Sequence, residues 1–379
     1  MPEVSVLKTE DYALTTMRRA VGEHFVLHRV RERLRPEMKV VLKPNLLMKR
    51  TPEEATTTHP ALVEAVILEL QALGVTHITL ADSPGGLYNR QAVEAVYKAS
   101  GLWEVARRTG ARLNEDFTFQ ALPCPQGEQC REFNIITPLA QADFIINLPK
   151  LKTHGMTTMT GGVKNLFGSV PGLQKPELHM RFPRVEEFCN MLVDLSQLVA
   201  PGFTIVDGVW GMEGDGPSGG SPRFLGVTLA SADLYALDRM QCAMMGFSPE
   251  QVATVAHAIR RGLCPTGLEE ITLLGEGFQV FEDLKAPKGK SVDFLDHLPG
   301  FLHRPLVSLR DGVLAPKPVI RRKDCVGCGR CAESCPARTI TLENRRAVIH
   351  RGDCIRCFCC HEMCPVKAID IRRLTLFDH

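Results

Sequence analysis

A chain of 379 residues with 44% apolar side chains, 45 Lys and Arg against 43 Asp and Glu, and a net charge of +2 exceeds one ordinary core and offers no strong field to a polyanion, so nucleic acid is not the expected partner. Its longest apolar segments, such as residues 61–73, are interrupted by Glu64, Glu69 and Gln71, which excludes a membrane span and predicts no membrane insertion. The opening MPEVSVLKTEDY lacks a charged-then-apolar leader, so the expected location is the cytoplasm.

Short apolar runs alternate with helical patterns. Residues 39–44 predict a strand, 59–73 a helix, 77–81 a strand, 90–100 a helix and Phe144–Leu148 a buried strand. A helix over 185–199 precedes strands at 203–207 and 224–230, and helices near 234–245 and 249–261 follow. That order predicts an α/β body, in which ligands gather beyond the carboxyl ends of strands. The expected rim is Lys43-Pro44-Asn45, Asp82 to Gly86, Lys150 to His154, and Asp207 to Asp215. On the last loop Glu213 and Asp215, among Gly211, Gly214 and Gly216, are expected to complete or gate the site.

The densest chemistry lies between Lys150 and Gly168, where three lysines, His154, four threonines and Gly161-Gly162 follow the buried strand. Cations, hydroxyls and backbone amides together suit a carboxylate or phosphate ligand. Lys43, Asn45, Lys152 and Lys164 are expected to orient a small anionic ligand, with Thr153, Gly161, Gly162 and Asn165 contributing contacts. Lys164 and His154 are the expected catalytic pair, His154 supplying or accepting a proton. A loop of solvated surface lysines is the plainer alternative.

Composition changes after Gly275, where LKAPKGK and APKP read as linker. The expected division is a body with a ligand cleft over 1–275, a linker or docking segment over 276–316 in which Phe294, Leu295, Phe301 and Leu302 are apolar enough to dock, and a small domain over 317–379. That domain holds two cysteine runs of one spacing, Cys325, Cys328, Cys331, Cys335-Pro336 and Cys354, Cys357, Cys360, Cys364-Pro365. Three thiolates at every third residue grip one cubane, and the fourth, before proline, ligates the other cluster. The expectation is one [4Fe-4S] cluster on Cys325, Cys328, Cys331 and Cys364, and a second on Cys354, Cys357, Cys360 and Cys335. Structural zinc also favours Cys-x-x-Cys but takes four ligands, usually as two separated pairs. Cys359 falls outside the spacing and reads as a spare thiol.

Between the runs, residues 338–343 and 346–350 predict two short strands, with 366–371 their later partner. Thirteen Lys and Arg against seven Asp and Glu from Lys317 onward offset the negative charge of two thiolate-bound clusters. This segment resembles the bacterial two-cluster ferredoxin module.

Ala142-Asp143-Phe144-Ile145-Ile146, His154, Gly161-Gly162-x-Lys164 and Pro171-Gly172 resemble the lactate racemase family, with the likeness reaching back over residues 39–81. The resemblance implies a two-lobed α/β body with its site in the cleft. In that family the corresponding lysine carries a covalently attached nickel-pincer nucleotide, and histidines, to one of which His179 loosely corresponds, serve as metal ligand and acid/base. This chain has Lys43-Pro44-Asn45 where that family carries an arginine-bearing acidic motif. As a whole it is similar to a broad bacterial and archaeal family of iron-sulfur proteins marked by KPN, KTH and GG-x-K-N, a likeness that implies no particular reaction.

Fusing an electron carrier to a ligand cleft raises its effective concentration at a site that consumes electrons. The expected function is an iron-sulfur oxidoreductase served by a low-potential electron donor or acceptor protein. A non-catalytic electron-transfer or maturation protein and a racemase-like metal-pincer enzyme are the alternatives, so a further organic or metal cofactor in the cleft stays open. No Gly-x-Gly-x-x-Gly between strand and helix announces a flavin or nicotinamide.

Overall fold

The computed structural model describes residues 1–288 and 316–372. Phe294, Leu295, Phe301 and Leu302 lie outside the described residues, as does most of the linker segment.

The body is built on one mixed sheet. Its strands are β1 (Glu3–Lys8), β2 (Lys39–Pro44), β3 (His77–Leu80), β4 (Arg112–Leu113), β7 (Phe144–Leu148), β8 (Lys150–His154), β9 (Thr158–Met159), β10 (Phe203–Glu213), β11 (Ser221–Ser231) and β12 (Thr272–Leu274), while β5 (Phe119–Pro123) and β6 (Glu132–Ile136) form a separate hairpin. The order is β12-β1-β11-β10-β7-β2-β3-β4, with β8 and β9 branching from β10. From β4 to β10 the pairings are parallel, while β10–β11 and β11–β1 are antiparallel.

Alternation along β2 explains how both faces are filled. Val40 and Leu42 pack under the helices Leu14–Leu27 and Pro60–Ala72, whereas Val41 joins Ile145 beneath the helix Val185–Val199. Each fully buried Val, Leu or Ile contributes on the order of 1.5–3 kcal/mol. Beside them, the helices Leu234–Met244 and Ala253–Arg260 cover β1, β10 and β11.

The elements expected between residues 39 and 199 are present within one or two residues, but two expected loops are strands. Lys150–His154 is β8, and β10 runs on from Asp207 to Glu213, paired with β11 through Glu213↔Ser221. The glycines at 208 and 211 look like loop residues, yet a Cβ at Gly211 would lie 2.6 Å from the Leu151 carbonyl oxygen. They are there for close strand approach.

The small domain pairs β13 (Lys317–Ile320) with β16 (Ile369–Arg372), and β14 (Ile340–Glu343) with β15 (Arg346–Ile349). The last strand was expected to join the hairpin. Instead Asn344 and Arg345, both left-handed, close β14–β15 locally and leave the last strand to the first. A short helix carries the third cysteine of each run, Cys331 in Arg330–Glu333 and Cys360 in Cys359–Glu362.

Candidate functional site

Parallel β2, β3 and β7 end side by side, so Lys43-Pro44-Asn45, Asp82 and the chain entering β8 converge. Beyond them lies a cavity of about 600 Å³. Its floor carries Lys43, Asn45, Lys152, His154, Lys164 and Asn165. Its other walls come from the loop at Ser83, the helix Gln174–Arg181, and Arg330, Glu333, Cys359, Glu362 and Met363 of the cysteine-bearing domain.

That domain is seated firmly on the body. Arg50 donates from Nη2 to the Cys364 carbonyl and from Nη1 to the Pro365 carbonyl, both at 3.0 Å, and Ser218 Oγ donates to the Glu362 carbonyl at 2.9 Å. Gly85 allows the close approach, since a Cβ there would lie 2.5 Å from Met363 Sδ.

The lysines differ in their partners. Lys43 Nζ meets Asp82 Oδ1 at 2.8 Å, both buried; a Cβ at Gly168 would fall 2.0 Å from the same oxygen. Lys152 Nζ donates to three neutral oxygens, Asn45 Oδ1 at 2.8 Å, Thr56 O at 2.7 Å and Pro217 O at 3.4 Å. Burial, and then the nearby Lys164, hold its pKa well below the ordinary lysine value. Lys164, half-buried, lies 5.7 Å over the Phe167 ring. Its short helix Gly161–Asn165 is pinned by Asp238, whose carboxylate accepts from the Gly162 and Val163 amides at 2.6 and 3.0 Å. Asparagine amides link these groups: Asn45 Nδ2 donates to Asn165 Oδ1 at 2.7 Å, and Asn165 Nδ2 to Asn147 Oδ1 at 2.8 Å.

His154 Nδ1 accepts from the Met156 and Thr157 amides at 3.1 and 3.3 Å, which puts the ring proton on Nε2, 3.2 Å from Glu362 Oε1. This contact lacks hydrogen-bond alignment. Burial, then Lys164, push the His154 pKa down to about 4, so the ring is neutral near neutral pH. His179 is stacked on Phe188 at 4.1 Å with Nδ1 unpartnered. Of nine buried side-chain polar atoms without an aligned partner among the described residues, five belong to Asp82, His154, Thr160, His179 and Glu362, all on this cavity. Three of these face a charged or polar neighbour, Asp82 Oδ1 the Lys43 ammonium at 2.8 Å, and His154 Nε2 and Glu362 Oε1 each other at 3.2 Å, which leaves Thr160 Oγ1 and His179 Nδ1 without a protein partner on this cavity.

The expected residues divide cleanly. Lys43, Asn45, Lys152, His154, Lys164 and Asn165 come together on the cavity, whereas Thr153, Gly161, Gly162, Glu213 and Asp215 do not line it. Thr153 Oγ1 donates to the Gly214 carbonyl at 2.8 Å. Glu213 pairs with Arg223 at 3.0 Å and Asp215 accepts from the Lys288 amide at 2.9 Å, so both carboxylates are occupied behind the wall. Sequence reasoning missed Lys175 and Glu362. Lys175 Nζ donates to Ser83 O at 2.7 Å and Ser83 Oγ at 3.0 Å, and burial pushes its pKa down to about 7.

In the small domain, Cys325, Cys328, Cys331 and Cys364 surround one small cavity, and Cys335, Cys354, Cys357 and Cys360 another. Both loops use the left-handed conformation at matching places, Gly327 and Gly329 in the first, Arg356 and Phe358 in the second. Amides already point at the sulfurs, Ala368 N to Cys364 Sγ at 3.1 Å, and Ala347 N to Cys325 Sγ and Thr339 N to Cys335 Sγ at 3.4 Å. Four thiols with amide donors fit an iron-sulfur cubane at each place. Cys359, outside both sets, directly precedes Cys360 in the chain and lines the large cavity.

Residues 40–243 match the domain of unknown function DUF362, and residues 317–365 match the 4Fe-4S dicluster domain. The chain belongs to the DUF362 family. Its second domain is an iron-sulfur electron-transfer module. A relative of the chain, the thylakoid-associated protein sll1697 of Synechocystis, is 35% identical over 242 residues, 62% of this chain and 72% of that protein. Among solved structures, the lactate racemase apoprotein of Thermoanaerobacterium thermosaccharolyticum shares 12% identity at a TM-score of 0.34, covering 54% of this chain and half of that one. No helix among the described residues is long and apolar enough to cross a membrane.

Proposed function

We propose that this DUF362 protein is a cytoplasmic iron-sulfur oxidoreductase that delivers low-potential electrons to an anionic substrate or cofactor in the large cavity. The observation that carries the reading is Cys359, which lines the cavity and is the chain neighbour of Cys360 at the second cluster site. The proposal divides the chain at 275 and 317, and assigns two [4Fe-4S] clusters to the two cysteine sets. When bound, those clusters supply single electrons.

The chain's own groups do the rest. Lys43, Lys152, Lys164 and Lys175 hold the anion, while Asn45 and Asn165 orient Lys152 toward it. Apolar Leu47, Met48, Leu87, Leu173 and Met363 accept a less polar remainder, and the volume fits the range of about 300–1,000 Å³ typical of small-molecule sites. His154 and Lys164 are the catalytic residues of the proposal. With its proton on Nε2, His154 is placed to donate a hydrogen bond to a ligand that gains negative charge, and the Glu362 carboxylate lies 3.2 Å from the same nitrogen. A carrier without chemistry of its own has no need for a cavity that gathers Lys43, Lys152, Lys164 and Lys175 and leaves Thr160 Oγ1 and His179 Nδ1 without a partner.

The test begins with anaerobic purification and mass spectrometry of the compound retained in the cavity. Adding that compound to pre-reduced protein should reoxidise the clusters, and Lys164→Ala should abolish this while cluster absorbance stays intact. Undiminished reoxidation in that variant refutes the proposed centre.

A further inference from the structure

The two cluster sites differ in how they meet solvent. Around the second, Cys357 and Cys360 are buried and Cys335 and Cys354 half-buried; around the first, Cys328 is exposed. Among the described residues of the module, the large apolar side chains left exposed are Val326, Leu342 and Val366. All three gather at the first site. Val326, 61% exposed, and Val366 line it with Cys328, and Leu342 Cδ1 lies 3.5 Å from where a Cβ on Gly329 would stand.

A basic rim frames these apolar tips. Arg322 and Lys323, both exposed, precede Cys325 on the loop itself. The β14–β15 turn packs against that loop, since a Cβ on Gly327 would lie 2.2 Å from the Arg345 carbonyl oxygen, which brings the exposed Arg345 alongside. Arg346 is spent internally, donating to the carbonyls of Arg322 and Cys325. Nearby acids only partly offset the rim: Asp324 is tied to Arg321 at 2.6 Å, and Glu343, beside Thr341 and His350, sets one negative charge against the three cations.

We infer that this face is the docking surface for an acidic one-electron carrier protein, making the first cluster site the port through which electrons are exchanged with the outside. A small apolar centre ringed by one sign of charge, over the most accessible cysteine, suits a transient partner that must approach closely and leave quickly. The exchange is one electron, lost by the reduced carrier and gained by the module, with no bond made or broken. The inference rests on the module's electron-transfer character and not on the chemistry of the large cavity, so either can fail alone.

The experiment measures affinity as well as rate, on the full chain with clusters loaded. An acidic [2Fe-2S] ferredoxin is titrated against it anaerobically, with basic cytochrome c as the opposite-charge control. Ferredoxin binding should weaken at least about tenfold between about 0.03 and 0.3 M salt. The combined substitution Arg322→Glu, Lys323→Glu and Arg345→Glu should weaken it by at least about tenfold at low salt and favour cytochrome c. Reduction by methyl viologen, a small cation needing no docking face, should not slow in that variant. Salt-independent ferredoxin binding, or equal affinity for both carriers by the unmodified chain, overturns the inference without recourse to any variant. It is equally overturned if the substitutions leave ferredoxin affinity unchanged while dissolving a self-dimer or abolishing binding of a single-stranded RNA probe.

Discussion

Two lysines on one strand, two residues apart, occupy opposite kinds of interior. Lys150 is caged: its ammonium meets Asp207 at 2.6 Å with both side chains fully buried, and Tyr12 and the Trp210 carbonyl take further hydrogen bonds at 3.1 Å. Asp207 is in turn held by Tyr12 and the His59 amide at 2.6 and 2.7 Å. Lys152 has only neutral oxygens and faces an open chamber. A buried charge with every partner supplied is architecture. One whose counter-charge is left to something else is a binding site in waiting, because desolvating a cation without an anion costs more than a folded chain ordinarily tolerates.

The comparison breaks most readily at Asp207. Asp207→Ala strands a buried ammonium and should cost about 3–5 kcal/mol in urea unfolding, whereas Lys152→Met should cost less than about 1.5 kcal/mol or stabilise, while abolishing retention of the cavity compound. Equal losses at the two sites would erase the distinction. Next in size, Gly168→Ala drives a methyl group into Asp82 and loosens its pair with Lys43; about 1–3 kcal/mol should be lost, read from the shift in unfolding midpoint.

Lys175 sharpens the electrostatic side. Its folded pKa is held down at about 7, against 10.5 for an ordinary lysine. Between those values the unfolded chain binds more protons, so stability relative to Lys175→Met should rise with pH from about 7 to about 10 and stay level below. A flat difference across that window would mean that the ammonium is compensated after all. The smallest effect is expected at Glu213, whose partners Arg223 and Lys285 are partly or well exposed. Glu213→Gln should change stability by less than about 1 kcal/mol and leave compound retention untouched.

What could be read from the residues beforehand follows the range of the interactions. The proposed ligand sets are nearly local, so spacing alone groups Cys335 with the second run and Cys364 with the first, and the thiols surround two small cavities in that grouping. The strand-end rule likewise brings Lys43, Asn45 and Lys152 together. It fails where a rim residue is indistinguishable from a strand residue: glycines around Glu213 suggest a ligand loop, but serve close packing of β10 against its neighbours. Lys175 and Glu362 escape because nothing within their own segments marks them. Glu362 reaches His154 across 208 positions of chain only because Arg50 and Ser218 clasp the carbonyls around it.

Met363 sits against Gly85, and with Cys359 and Glu362 it roofs the chamber from the far side of the domain joint. On the proposed ligand assignment, the roof beams are strung between thiols that iron would hold in place. Air should therefore do two kinds of damage in one stroke, bleaching the absorbance of the loaded clusters and spilling whatever the chamber stores, and the two losses should follow a single time course.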